Sequence, residues 1–103
     1  MSILEEVLLE EYDRSQRLCQ AIRIEYASLP KGSVRARVIR GHEYFYLNYR
    51  VGNKVKSDYV PASEVEELKS KIQRRRELKN ALDEQERSQL QIKRALGKDF
   101  DAN

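Results

Sequence analysis

Apolar positions in the first quarter of the chain recur every three or four residues. Leu4, Leu8, Tyr12, Ser15, Cys19, Ile22 and Tyr26 form one largely apolar stripe, with Ile3, Val7 and Leu18 beside it and mostly charged residues between. This spacing predicts an amphipathic helix over residues 1–28. Ser2 followed by Glu5 has the spacing of a capping box, in which hydroxyl and carboxylate satisfy amides left unpaired in the first turn. Leu29-Pro30-Lys31-Gly32 ends the helix by proline and glycine chemistry.

From Ser33 the period shortens to two, with Val34, Ala36 and Val38 alternating against Arg35, Arg37 and Ile39, the signature of a strand. Taking Gly41-His42 as a two-residue turn sets Val38 opposite Phe45, Ala36 opposite Leu47 and Val34 opposite Tyr49. These six side chains share one face, and Arg35, Arg37, Tyr44, Tyr46, Asn48 and Arg50 share the other. For the second hairpin, a two-residue turn at Gly52-Asn53 would put Lys54, Lys56 and Asp58 on the apolar face. A three-residue turn over Gly52-Asn53-Lys54 places Val55, Ser57 and Tyr59 there instead. The longer turn is preferred, because burying three charges would cost on the order of several kcal/mol.

Pro61-Ala62-Ser63 leads into a second helix, where Ser63 and Glu66 repeat the capping-box spacing. Val65, Leu68, Ile72, Leu78, Leu82, Ile92 and Leu96 supply its stripe and Gly97 its stop. From 63 to 97 this helix would be about 52 Å long, more than a small sheet covers. Its outer part needs another partner, either the first helix or a second copy of the chain. The expected fold is α+β: a long N-terminal helix, a three-stranded antiparallel sheet over 33–60 and a long C-terminal helix. The helices are expected to pair as an antiparallel coiled coil in a single domain, 1–103, with 98–103 a frayed tail.

Composition sharpens this picture. Charged residues make up 36% of 103 positions, so the core must be thin and the helices largely exposed. One cysteine, Cys19, excludes an internal disulfide, and Met1-Ser2-Ile3-Leu4 runs straight into Glu5 and Glu6 without a signal peptide, so a cytoplasmic protein is expected. Unbroken apolar runs such as Val7-Leu8-Leu9 are far shorter than the roughly 18 residues a membrane helix needs. The net charge of +3 is unevenly spread. Lys31, Arg35, Arg37, Arg40, Arg50, Lys54 and Lys56 face only Glu43 and Asp58 within 30–62, which points to an anionic partner for the middle of the chain.

Catalytic signals are missing. His42 is the only histidine and lies in a predicted turn, so paired zinc ligands are absent; Cys19 sits in an apolar stripe, the usual place of an unreactive thiol. Gly32, Gly41, Gly52 and Gly97 stand singly at element boundaries, and the carboxylates lie among Lys and Arg at spacings such as Glu67 to Lys71. No catalytic residue, metal or cofactor is assigned, and no enzymatic activity is expected.

The basic, aromatic sheet face is the one constellation above background. Arg35, Arg37, Arg50, Lys54 and Lys56 can neutralise phosphates, Tyr44 and Tyr46 offer rings for stacking, and Asn48 can read a base edge. The bland reading is a solvated face of a half-buried sheet, since tyrosine favours strands anyway. Lys71, Arg74 and Arg75, with Lys69, Arg76 and Lys79 nearby, form a second basic cluster. Three consecutive arginines fan around a helix and cannot all meet one partner, so a solvated helix face is the simpler account.

Leu29-Pro30-Lys31-Gly32-Ser33, Tyr44 through Arg50 and Gly52 through Val60 together resemble a family of short uncharacterised bacterial and phage proteins with a sheet between two charged helices. That resemblance implies a fold and no activity. The stretch from Ser33 to about Gln73 also resembles the arm-type DNA-binding domain of tyrosine recombinases, whose sheet face enters the major groove. The resemblance implies that role for Arg35, Arg37, Tyr46, Asn48, Arg50 and Lys56, although no recombinase catalytic domain follows and the first helix is extra. Two classes of function stay open: an accessory nucleic-acid-binding protein, with duplex DNA the first partner, or a protein-binding inhibitor or adaptor, anti-CRISPR-like, acting on a nucleic-acid enzyme. A structural coiled-coil partner, with homodimerisation through the helices, is a third.

Overall fold

A computed structural model of the chain describes residues 2–97; the tail expected to fray lies outside them. The element order is α1 (Ile3–Ser28), β1 (Ser33–Ile39), β2 (His42–Val51), β3 (Lys54–Val60) and α2 (Val65–Leu96), with a 3-10 turn at Ala62–Glu64 before α2. The fold is therefore the α+β arrangement expected. No described helix is long and apolar enough to cross a membrane. Contacts group into two compact units, one built from residues 2–27 and 78–97, the other from Ser28–Glu77.

In the helical unit, α1 starts with one half of the capping box, the Glu5 amide donating to Ser2 Oγ at 3.2 Å, and the Ser2 hydroxyl donates in turn to Glu5 Oε1. The stripe buries Ser15, Cys19 and Ile22 against a face of α2 that buries Leu78 and Leu82. Pairings run in opposite directions along the two helices, Tyr12 with Lys93, Ser15 with Gln89 and Gln85, Arg23 with Glu86, so the pair is antiparallel. Gly97, at φ 88°, ends α2 by donating its amide to the Lys93 carbonyl.

In the sheet unit the strand order is β1-β2-β3, antiparallel throughout. Val34, Phe45, Leu47 and Val60 lie on the side that α2 covers through Val65, Leu68 and Ile72; of these Val60, Val65 and Ile72 are fully buried. Two registers depart from expectation. In the first hairpin Ala36 pairs with Phe45, Val34 with Leu47 and Val38 with Glu43, so the turn is Arg40-Gly41 rather than Gly41-His42. Both turn residues have positive φ, 53° and 82°, the type I′ geometry whose twist matches the strands. Facing survives, because the slip is by two residues.

In the second hairpin Val51 pairs with Lys54, Tyr49 with Lys56, and Leu47 with Asp58, so the turn is the two-residue Gly52-Asn53 and not the three-residue one. Gly52 alone takes positive φ, 60°, as a type II′ turn requires. Lys54, Lys56 and Asp58 thus share the helix-side face with Leu47. They escape the expected desolvation cost because β3 is an edge strand covered only at Val60; all three remain exposed. The entry to α2 also differs: Ser63 lies inside the 3-10 turn, Pro61 stands before it, and no side chain caps it.

Candidate nucleic-acid interface

Strand alternation fixes what the outer sheet face carries. Arg35 pairs with Tyr46 and Tyr46 with Tyr59; Arg37 pairs with Tyr44; Ser33, Asn48 and Ser57 form a row; Arg50 pairs with Val55. Three arginines stand there and no carboxylate, because Glu43 and Asp58 both fall on the opposite face. The sheet's charge is thereby sorted. One side is purely cationic, while Lys54 and Lys56 balance Glu43 and Asp58 on the other.

Side-chain contacts organise the outer face. The Arg37 guanidinium lies 5.1 Å from the centroid of the Tyr46 ring, and Tyr46 meets Tyr59 edge to face at 6.0 Å between centroids. Ser57 Oγ donates to Asn48 Oδ1 at 2.6 Å, which leaves the Asn48 amide N–H groups directed elsewhere. Tyr59 is 59% exposed, so an aromatic surface remains open to an incoming ring. On the helix side, Tyr49 Oη donates to Asp58 Oδ2 at 2.9 Å, and this hydrogen bond raises the Tyr49 ionisation above its ordinary value.

Of the residues expected from the sequence, Arg35, Arg37, Tyr44, Tyr46, Asn48 and Arg50 come together. Lys54 and Lys56 do not: the two-residue turn sends them to the opposite face, and Ser57 and Tyr59 take their place. The second basic cluster also comes apart. Lys71 pairs with Glu67 at 3.3 Å beside β3, and the half-buried Arg75 donates from Nη1 to the Leu29 carbonyl at 3.1 Å. Arg74 is exposed. Lys69 and Arg76, by contrast, line a cleft of about 470 Å³ with Ser33, Val34, Arg35, Ile72 and Gln73. Their spacing along α2, with Ile72 and Gln73 between them at the third and fourth positions, was the available signal.

Cys19 is 1% exposed and accepts a hydrogen bond from Gln89 Nε2 at 3.3 Å, a packing role. Among the described residues no group of three or more His, Cys, Asp or Glu could hold a metal ion. The family described as Domain of unknown function (DUF6788) matches residues 1–70, from the first helix through the sheet into the start of α2. No curated protein and no solved structure matches the chain.

Proposed function

The chain belongs to the family described as Domain of unknown function (DUF6788), and we propose that it is a small non-enzymatic protein that binds nucleic acid, duplex DNA foremost, through its outer sheet face. One observation carries the reading: Arg35, Arg37 and Arg50 share a face with Tyr44, Tyr46, Tyr59 and Asn48, and no carboxylate interrupts it. Cations neutralise phosphates and release counterions, while aromatic rings and an amide meet bases or sugars. Strands can read a major groove, and the resemblance to arm-type domains implies that role for this sheet face. An accessory role in a phage or mobile element accords with that resemblance.

A fluorescence-anisotropy titration against duplex DNA, single-stranded DNA and RNA over a range of salt tests the reading, with an Arg35, Arg37, Arg50 triple alanine variant alongside. Binding should weaken steeply with salt, and the variant should lower the log–log salt slope by about 2.7, roughly 0.9 per lost phosphate contact. Absence of binding at low salt would overturn it. A second reading, a protein-binding inhibitor or adaptor of a nucleic-acid enzyme, is favoured by Val55 and Tyr59, 64% and 59% exposed on the same face. Capture of such an enzyme without nucleic acid, by a chain that binds no nucleic acid itself, would select it.

A further inference from the structure

Arg35 borders two surfaces. It stands on the outer face opposite Tyr46, and it also lines the cleft where the β1 edge meets α2. The other polar groups of that cleft are Lys69, Arg76, Gln73 and the Ser33 hydroxyl, and Val34 and Ile72 contribute apolar side chains. Lys69, Ile72, Gln73 and Arg76 fall on one stripe of α2, at the spacing that brings side chains onto a common face. No carboxylate lines the cleft, and none of Arg35, Lys69 and Arg76 is ion-paired among the described residues. Three uncompensated cations around about 470 Å³ of concave space focus a positive potential there.

We propose that this cleft is a phosphate-backbone clamp: when the outer face engages a nucleic acid, one strand's phosphodiester backbone crosses the β1 edge and seats in the cleft between Arg35, Lys69 and Arg76. The inference rests on the nucleic-acid reading and adds a second, sequence-independent contact to it. The lining dictates the ligand class. It offers cations, an amide and a hydroxyl for phosphate oxygens and an apolar patch for sugar carbons. It has no aromatic ring on which a base could stack and no acceptor carboxylate for an amino group of a base. Base contacts therefore belong to the outer face alone, and the cleft adds backbone contacts to those made by the outer-face arginines.

The test compares the intact chain, K69Q/R76Q, and K79Q/R87Q, which removes the same charge from the other half of α2. Affinity for a short DNA duplex is measured over a salt series, with circular dichroism to verify the fold. The clamp requires that K69Q/R76Q lower the salt slope by about 1.8, two contacts at roughly 0.9 each, while K79Q/R87Q leaves it near the wild-type value. The loss should be the same for duplexes of unrelated sequence. A wild-type chain that binds, with K69Q/R76Q indistinguishable from K79Q/R87Q, overturns the clamp and leaves the outer-face reading standing. A wild-type chain that binds no nucleic acid overturns both.

Discussion

Gln89 Nε2 donates to Ser15 Oγ at 2.9 Å, joining α1 to α2 across the helical unit, and the same hydroxyl donates to Gln85 Oε1 at 2.8 Å. Ser15 is 5% exposed, the one fully buried polar residue among those described. Its hydroxyl satisfies two half-buried glutamines on successive turns of α2, so shifting the pair by a turn would leave the buried Ser15 hydroxyl and these amides without their partners. Ser15→Ala should therefore cost about 1 to 3 kcal/mol, the penalty for stranding buried hydrogen-bonding groups. Urea denaturation followed by circular dichroism measures it. A loss no greater than that of an exposed serine such as Ser70 would show that the seam contributes no specificity.

Gly32 lies in the segment that links α1 to the sheet. Gly32 sits at φ 120°, and a Cβ added there would collide with the Asn48 carbonyl oxygen and press on Leu47 Cδ1 and Tyr49 Cβ, both at 3.1 Å. The carbonyl belongs to the central strand and cannot move without disturbing the sheet. Gly32→Ala should destabilise by at least about 2 kcal/mol, combining backbone strain with the clash. Chemical denaturation checks this, with Gly41→Ala as the comparison: it shares the positive φ but meets no atom within 4 Å.

How far the chain could be read in advance follows from what each pattern is able to encode. Both helices were legible because a stripe of three- and four-residue spacing has few other uses, and Cys19, Ile22, Ile72 and Leu82 are buried as that stripe requires. The strands were legible, their registers less so. Sliding the first hairpin by two residues preserves every inward and outward assignment, so periodicity is blind to it, and the positive φ of Arg40 decides. The second register failed on an assumption about burial. Keeping charge from a core argues for Lys56 and Asp58 outward, yet the edge strand has no core over them. The cleft was hidden for another reason: Arg35 and Arg76 lie 41 positions apart, and only the packing of α2 on β1 brings them together.

Arg40 is the only described non-glycine residue with positive φ, at 53°. A left-handed conformation costs an ordinary L-residue about 1 kcal/mol, which asparagine avoids in part by local hydrogen bonding. Arg40→Asn creates the Asn-Gly pair favoured by type I′ turns and should stabilise the protein by about 0.5 to 1 kcal/mol. Thermal unfolding provides the check; a lower midpoint would contradict this turn.

The Tyr49 phenol offers a test by pH. Its hydrogen bond to Asp58 raises its ionisation above the ordinary value of 10.0, so the folded state holds the proton more firmly than the unfolded chain. The stabilisation is fully present below the unfolded value and is lost as pH rises through the folded one. The absorbance titration of the phenolate band should move to lower pH in Asp58→Ala, as Tyr49 loses the hydrogen bond that holds its proton. Superimposable curves for the two proteins would remove the hydrogen bond as the cause.

The two sheet faces permit a charge-matched comparison that net charge alone cannot explain. Lys54 and Lys56 stand on the helix-side face with Tyr49 and Asp58, whereas Arg37 and Arg50 stand on the outer face, and either pair removes two positive charges when changed to glutamine. If duplex DNA lies along the outer face, R37Q/R50Q should lower the log–log salt slope by about 1.8 and K54Q/K56Q should lower it far less. R37Q also removes the cation above Tyr46, so its effect on affinity should exceed its effect on the slope. Equal losses from the two pairs would mean that the duplex responds to the overall positive charge of the hairpins and not to one face, and would overturn the outer face as the duplex-binding surface.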